Sequence, residues 1–179
     1  MEGCRIGKVR LFVIAVLICL FTACRPLPII PEYIGELPAI GESVDRLTEY
    51  EGQGVIGVYM ISGGGGKVRG ILQEAEAQGF NDTINILVLI DVSTGLTERI
   101  RVLEHNETED YGGYVTEEWF LGRFAGKEVG TKLELVKRAA GKTEDIVAIT
   151  GATYTSQAVV DAVNLCMKNY GRIIEEVKL

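Results

Sequence analysis

The chain has 179 residues, 47% of them hydrophobic, and its 25 acidic and 18 basic side chains give a formal net charge of −7. An acidic surface repels the phosphates of nucleic acids and of anionic lipid headgroups, so neither is expected as a binding partner. Only Cys166 lies beyond the first 24 residues, which excludes an internal disulfide there and any metal, iron–sulfur or haem site built on paired cysteines.

The N-terminus has the layout of a secretory leader. Arg5, Lys8 and Arg10 precede an uncharged run over residues 11–23, as in the charged and apolar regions of a signal peptide. As a helix, this run of roughly 13 residues reaches about 20 Å, short of the ~30 Å hydrocarbon core of a bilayer. We therefore expect residues 1–23 to be a cleaved signal peptide, and a single N-terminal membrane anchor stays the alternative.

Residues 24–40 are expected to attach the protein to the membrane. Phe21-Thr22-Ala23-Cys24 resembles a bacterial lipoprotein box, in which the cysteine is lipidated and becomes the new N-terminus, so Cys24 is the predicted lipidation site. All four prolines follow it before residue 40, and they predict an extended tether that holds the domain off the membrane. A lipoprotein, a plain signal peptide and a membrane anchor all place the domain outside the cytoplasm. Without residues 1–23 the net charge is −9.

Residues 41–179 are enough for one hydrophobic core and predict a single domain. Glycine-rich turns between alternating apolar runs predict two hairpins, and the run 86–90 is apolar at every position, as in a strand buried on both faces. Because strands come first and the longest helix last, we expect an α+β fold, a mainly antiparallel sheet with packed helices. The predicted elements before that helix are strands 55–61, 68–78, 84–92, 96–104, 132–137 and 145–149, a helix ending near residue 53 and a helix over 115–124.

The segment from Asp145 to Ser156 predicts a strand that leads through a turn at Gly151 into the longest helix. That helix is expected to open at Ser156 and to stop near Gly171. The free N–H groups and positive dipole end of a helix start favour an anion, so a phosphate-binding turn is one interpretation. Ordinary capping by hydroxyl side chains is the other. The hydroxyl residues around this point are Thr150, Thr153, Thr155 and Ser156.

The run Thr-Gly-Ala-Thr-Tyr-Thr-Ser at 150–156 resembles the flavinylation motif of the FMN-binding domain family. This domain is found in the G subunit of Rnf-type electron-transport complexes and the C subunit of sodium-pumping NADH:quinone reductases. In that family the last Thr of the Ser/Thr-Gly-Ala-Thr core carries FMN through a phosphoester. The resemblance implies that Thr153 is the attachment site and that Asp145 is recognised by a flavin transferase. It also implies cofactor contacts from Thr150, Gly151, Ala152, Thr155 and Ser156.

The likeness extends over roughly residues 54–169, in the order of the family's segments. His105-Asn106-Glu107-Thr108 resembles the family's His-x-Glu-Thr segment, and Phe124-Ala125-Gly126-Lys127 resembles its Phe-x-Gly-Lys segment. This match implies that Glu107 and Thr108 lie near the flavin. The chain departs from the family where Glu109-Asp110 replaces a usual Pro-Gly and where Phe80-Asn81-Asp82 replaces a glycine-rich turn.

Leader, tether and motif together predict an extracytoplasmic electron-transfer flavoprotein with covalently bound FMN. It would be an electron carrier or redox subunit rather than a stand-alone catalyst, because the redox chemistry belongs to the cofactor. The resemblance implies two kinds of partner, a flavin transferase that moves FMN from FAD and membrane redox proteins. Two settings stay open, membership of an Rnf-type complex and a free-standing lipoprotein that serves external acceptors. A binding lipoprotein of the same fold without flavin is the alternative of another class.

Overall fold

The computed structural model describes residues 41–178. The predicted signal peptide, the lipidation site at Cys24 and the tether lie outside these residues and stay predictions. Within the described part, no helix is both long enough and apolar enough to cross a membrane. The strands are β1 Ser43–Arg46, β2 Val55–Ser62, β3 Val68–Gln78, β4 Thr83–Asp91, β5 Thr97–Glu104, β6 Glu134–Val136 and β7 Asp145–Val147, and the α-helices are α1 Glu118–Leu121 and α2 Thr153–Val177.

Strands β1 to β5 form one antiparallel sheet in which each strand pairs with its neighbour in the chain. Two hairpin turns depend on glycine, because Gly65 and Gly95 have φ values of +82° and +68°, which L-residues with a Cβ atom rarely adopt. β6 and β7 form a separate parallel pair. The predicted α+β fold with a mainly antiparallel sheet is confirmed.

β4 is an inner strand with buried side chains on both faces, as its uninterrupted apolar sequence predicts. Its even-numbered residues, among them Ile86 and Val88, join the larger core cluster. Leu87 and Leu89 belong to a second cluster, and they lie on the opposite face because side chains alternate along a strand. The sheet therefore has an apolar layer on each side.

α2 lies across the first of these faces and packs on β3 and β4. Two hydrogen bonds of a buried side chain supplement its apolar packing. Gln73 of β3 is fully buried, donates from Nε2 to the Cys166 carbonyl at 2.8 Å, and accepts from Asn169 Nδ2 at 2.8 Å. A buried amide without partners would cost free energy, so these bonds favour one axial position and one rotation of α2 on the sheet.

α2 begins earlier and ends later than the sequence predicts. It starts at Thr153 rather than Ser156 and continues through Gly171 to Val177. Tyr170 and Ile173 are buried on either side of that glycine. Their packing outweighs the helix penalty of glycine, which is about 1 kcal/mol.

Several other boundaries also differ from prediction. The helix expected over 115–124 is α1 flanked by two 3-10 turns, Gly112–Thr116 and Gly122–Phe124. The extended backbone of Glu117, with a ψ of 135°, separates the first turn from α1. The helix expected to end near residue 53 is a single 3-10 turn, Thr48–Tyr50. β6 and β7 are shorter than expected. β1 is not predicted from the sequence, because its four residues show no clear alternation of polar and apolar side chains.

Candidate functional site

A cavity of about 410 Å³ opens where the start of α2 meets the loops after β3 and β5. Its walls come from segments that are far apart in the chain and are brought together by the sheet. The order of β3, β4 and β5 places residue 80 and residues 107–112 beside the N-terminus of α2. The lining residues are Phe80, Glu107, Thr108, Tyr111, Gly112, Gly151, Ala152, Thr153, Tyr154 and Thr155.

The turn before α2 is shaped by Gly151. Its φ of +82° is in the left-handed region, and a Cβ atom there would lie 2.9 Å from the ring of Tyr111. Both observations require glycine. The turn allows the chain to leave β7 and begin α2 with the peptide of Ala152 against the cavity, as the sequence predicts.

The N-terminus of α2 presents unpaired donors to the cavity. The first backward hydrogen bond of the helix runs from the Ser156 N–H to the Ala152 carbonyl at 3.0 Å, so the N–H groups of residues 153–155 have no partner within the helix. No side chain of the described residues caps this end, and the first turn contains no acidic residue. Such a helix start favours a bound anion such as a phosphate group.

The hydroxyls of Thr155 and Ser156 are already engaged in the protein interior. Both residues are at most 1% exposed. Thr155 donates to Glu107 Oε2, whereas Ser156 Oγ accepts from the Ile149 N–H at 3.0 Å and donates to the Ala152 carbonyl at 2.8 Å. These two hydroxyls hold the turn together, and the cofactor contacts expected from Thr155 and Ser156 stay a prediction.

The hydroxyl of Thr153 is in a different situation. Thr153 is exposed and lines the cavity, and none of the hydrogen bonds within residues 41–178 uses its hydroxyl. Thr150 is exposed too, but it does not line the cavity. Of the four hydroxyl residues in the predicted cluster, Thr153 alone combines access to the cavity with a hydroxyl that no described residue occupies.

Glu107 is a buried carboxylate that joins the three segments of the cavity wall. It is 9% exposed; Oε1 accepts from the Asn81 N–H at 3.0 Å and Oε2 from the Thr155 hydroxyl. Cβ atoms at Gly79 and Gly112 would lie 2.5 and 2.6 Å from its oxygens, so both glycines leave room for this carboxylate. The structure places Glu107 against Thr155 of the motif, and its expected place near the flavin stays a prediction.

Thr108 lies next to Glu107 in the wall, where its hydroxyl oxygen is 3.2 Å from Asn81 Nδ2. Three exposed aromatic rings form the rim of the cavity. Phe80 and Tyr154 are 68% and 74% exposed, with ring centroids 6.2 Å apart, and Tyr111 is 56% exposed. The position of Tyr111 is not evident from the sequence, because it follows an acidic loop that resembles an ordinary solvated turn.

Asp145 does not reach the cavity. It begins β7, where its Oδ2 accepts from the backbone N–H groups of Gly141 and Lys142 at 2.7 and 3.0 Å. These bonds, first of all the one from Gly141, hold the pKa of the carboxyl below its usual value. Asp145 therefore orders the loop that precedes β7 in this chain.

Residues 79–168 match the family model of the FMN-binding domain. This span contains the Glu107 segment, the aromatic rim and the whole of the turn that leads into α2. The chain belongs to the FMN-binding domain family. The resemblance that the sequence suggests is thus confirmed, and FMN is the cofactor to which the family's description refers.

Curated relatives of this FMN-binding domain protein include the G subunits of three oxidoreductase complexes. The chain is 33% identical over 55% of its length to that of the proton-translocating ferredoxin:NAD(+) oxidoreductase complex of Clostridium ljungdahlii. It is 30% identical over 76% of its length to that of the ion-translocating oxidoreductase complex of Methanosarcina acetivorans, and 29% identical over 63% to that of the Na(+)-translocating ferredoxin:NAD(+) oxidoreductase complex of Acetobacterium woodii. The chain spans 52%, 68% and 54% of these relatives, about half to two thirds of their length.

Solved structures agree on the fold. Shewanella oneidensis NqrC superposes with a TM-score of 0.53 at 22% identity, covering 62% of this chain and 54% of NqrC. The C subunit of the Na(+)-translocating NADH-quinone reductase of Parabacteroides distasonis gives 0.56 at 16% identity, with 66% and 62% covered. At these identities the likeness concerns the architecture alone.

The cavity of this FMN-binding domain fits the chemistry of FMN. A phosphate group placed at the start of α2 would meet unpaired N–H groups and a positive helix end, and a flat ring system at the rim would meet aromatic side chains. The one carboxylate in the wall, Glu107, has its oxygens turned to Asn81 and Thr155. Among residues 41–178, no group of three or more His, Cys, Asp or Glu side chains is placed to hold a metal ion.

Proposed function

We propose that this protein carries FMN covalently, through a phosphoester to the hydroxyl of Thr153, and serves as an electron-transfer domain on the outer side of the membrane. The observation that supports this most directly is the contrast among the hydroxyls of the α2 turn. Thr153 faces the cavity and its hydroxyl is free of described partners, whereas Thr155 and Ser156 are buried and bonded. FMN supplies the redox chemistry, and the protein supplies attachment and orientation.

The attachment step requires a second protein. A flavin transferase would bring FAD to the exposed turn, where the Thr153 oxygen attacks the phosphorus of the FMN half. The P–O bond to the AMP half breaks, AMP leaves, and the hydroxyl proton passes to solvent. The product gains the mass of FMN minus water. The N–H groups of residues 153–155 would then lie beside the new phosphodiester and interact with its negative charge.

Covalent attachment suits a domain outside the cytoplasm, where a dissociated cofactor is not readily replaced. The exposed rim of the cavity supports the same proposal, because an open pocket offers a ring few enclosing contacts. A phosphoester makes retention independent of those contacts. Asp145 would contribute to recognition by the transferase through the loop that it orders, since it lies outside the cavity itself.

The membrane setting is also part of the proposal. Cys24 would be lipidated after cleavage of residues 1–23, and the domain would exchange electrons with membrane redox partners, as the names of the relatives suggest. Whether those partners form an Rnf-type complex is best asked by co-purification with ion-translocating proteins. A free-standing lipoprotein would instead purify alone and still exchange electrons with added acceptors.

The deciding experiment is co-expression with a flavin transferase, followed by denaturing electrophoresis and intact-mass measurement. The natural chain should show flavin fluorescence in the gel and the mass increase stated above. Thr153→Ala should lose both signals completely, and Thr153→Ser should keep them because a hydroxyl group is still present at this position. Thr131→Ala is the matched control, since that residue is exposed and lies outside both the motif and the cavity. A colourless natural chain of unchanged mass would instead indicate a binding lipoprotein without flavin.

Lipidation is tested separately. Cells labelled with a fatty acid should incorporate it into the natural chain and not into Cys24→Ser. Incorporation that persists in that variant, or a full-length protein that keeps residues 1–23 in the membrane, would contradict the lipoprotein proposal and favour the anchor. Neither result would affect the attachment at Thr153.

A further inference from the structure

The second face of the sheet, opposite α2, carries a buried apolar cluster that consists of strand residues only. Its members come from all five strands, so the patch extends across the whole sheet. Tyr59, Ile61, Leu72, Leu87 and Leu89 are each 5% exposed or less, and Val44 and Leu103 pack against them at the edges. We refer to these seven residues as the second-face cluster.

A sheet does not bury its own face. Side chains on a pleated surface stand roughly perpendicular to it, so the inner ones are shielded only when another layer lies above them. In the described part of the chain, α2 and the segments around α1 contribute to the other cluster, on the first face. No helix or loop among residues 41–178 contributes to the second-face cluster.

One polar atom of this face indicates the same shielding. Asn85 shares the parity of Leu87 on β4 and therefore lies on the second face. Its Oδ1 atom is inaccessible to solvent and has no hydrogen-bond partner among the residues that the structure describes. Polar groups are rarely left in this state on an open surface, where water would hydrate them. The layer above the second face therefore extends to the start of β4.

The part of the chain suited to supply this layer is the segment that directly precedes β1. Residues 27–40 include seven large apolar side chains among their 14 residues and lead into the sheet at its β1 edge. Crossing five strands requires about 19 Å at ~4.8 Å between neighbours, and extended chain provides about 3.1 Å per residue. Fourteen residues are therefore long enough to cross the face and return. The apolar residues are Leu27, Ile29, Ile30, Tyr33, Ile34, Leu37 and Ile40.

Proline fits this role better than a role in the sheet. Pro28, Pro31 and Pro38 lack the N–H group that a paired strand must donate. They favour an extended conformation that covers a surface with its side chains instead. We propose that residues 27–40 pack along the second face as an extended strap, and that they are not a free tether.

The strap would change how the domain is held at the membrane. A free tether over residues 24–40 would reach tens of ångströms, whereas a packed strap leaves only Arg25 and Pro26 between Cys24 and the domain. The domain would then rest against the lipid surface in a restricted orientation. The proposal is independent of flavin attachment, and it would hold for the non-flavinylated protein as well.

Proteolysis of the mature chain tests the strap. The chain begins at residue 24, carries Cys24→Ser for solubility, and offers Glu32 and Glu36 to a glutamate-specific protease. The matched control replaces Ile29, Ile30 and Ile34 by Ser, which removes apolar contacts and keeps both cleavage sites. Under native conditions we expect cleavage at Glu32 and Glu36 to be at least about tenfold slower in the natural segment than in the control. Equal rates would overturn the proposal.

A thiol placed under the strap gives a second readout. Leu87→Cys should react with a thiol reagent at least about tenfold more slowly in the natural segment than in the serine-substituted one. Cys166 of α2 is fully buried on the first face and serves as an unreactive internal reference. Reactivity that is fast in both chains would overturn the proposal. So would protection that disappears on dilution, because a second copy of the chain would then be the cover.

Discussion

The first turn of α2 places hydroxyl groups in two environments that differ sharply. On the outer side, Thr153 faces an open cavity and its hydroxyl has no partner within residues 41–178. On the inner side, Thr155 and Ser156 are buried, and their hydroxyls bond to Glu107, to the Ile149 N–H and to the Ala152 carbonyl. Both sides carry hydroxyl side chains. Burial and hydrogen bonding separate a hydroxyl that is available for chemistry from one that holds the site in shape.

The largest stability effect is expected at the residue that receives the inner hydrogen bonds. Glu107→Ala removes the acceptor of both the Asn81 N–H and the Thr155 hydroxyl and leaves space between three segments. We expect a loss of about 2–4 kcal/mol in the free energy of unfolding, measured by urea denaturation of the flavin-free protein. Glu109→Ala is the control, since that side chain is exposed. Equal midpoints for the two variants would contradict a structural role for Glu107.

Replacing single hydroxyls sharpens the contrast between the two sides. Thr155→Val keeps the volume but deprives the buried Glu107 carboxylate of a donor, so we expect about 1–3 kcal/mol of destabilisation. Thr153→Val should change stability by no more than about 0.5 kcal/mol, because it removes no hydrogen bond. Thermal or urea unfolding of the two flavin-free variants distinguishes them. A comparable loss of stability in the two variants would contradict the distinction between a free hydroxyl at Thr153 and a bonded hydroxyl at Thr155.

Ser156→Ala should have an intermediate effect. The variant leaves the Ile149 N–H without its acceptor and is expected to cost about 1 kcal/mol, as for other helix-start hydroxyls. Faster hydrogen exchange at the Ile149 amide is the specific sign. The Ala148 amide, which donates to the Val136 carbonyl at 2.8 Å, should exchange as in the natural chain. If both amides change together, the whole turn has loosened and the assignment to one bond fails.

The smallest effect concerns pH and the Asp145 loop. Backbone N–H groups hold the pKa of this carboxyl below its usual value of 3.8, so the folded state favours the ionised form. The stabilisation is present above that usual value and is lost as the pH falls through the lower, folded pKa. Amide exchange at Gly141 and Lys142 should therefore accelerate relative to other loops below about pH 4. Asp145→Asn should remove this extra acceleration, and an unchanged profile in that variant would assign the effect elsewhere.

Much of the fold follows from local sequence patterns. The bounds of β2 to β5 are close to those predicted, because alternation and glycine turns are determined within each hairpin. The start of α2 is not, because Ser156 resembles a helix cap in sequence but bonds backwards to Ala152 as part of the helix. Likewise the pairing of β6 with β7 depends on contacts between distant segments. Local patterns do not contain that information.

The sequence predicts the residues of the candidate site and, through the resemblance, Thr153 as the attachment residue, but it does not predict which hydroxyls are buried and bonded. The motif predicts four hydroxyls and a helix start, and the family match adds Glu107 and Thr108. Which hydroxyl is free depends on the distant Glu107 and on the entry of the chain into α2. Tyr111 and Phe80 become cavity residues only because β3, β4 and β5 bring their loops to the same end of the sheet. These contacts join segments that are distant in the chain, so local sequence patterns do not predict them.

The amide of Gln73 has a consequence for the distant Thr153, the proposed attachment residue. A helix that packs on a sheet through apolar contacts alone can shift along its axis or rotate about it at little cost in free energy, since such contacts are not directional. The buried Gln73 amide donates to the Cys166 carbonyl and accepts from the Asn169 amide, and these two hydrogen bonds resist both movements. These bonds fix the position of α2 on β3 and thereby the position of the Thr153 hydroxyl. That position should therefore change little when the sequence of the surrounding loops varies.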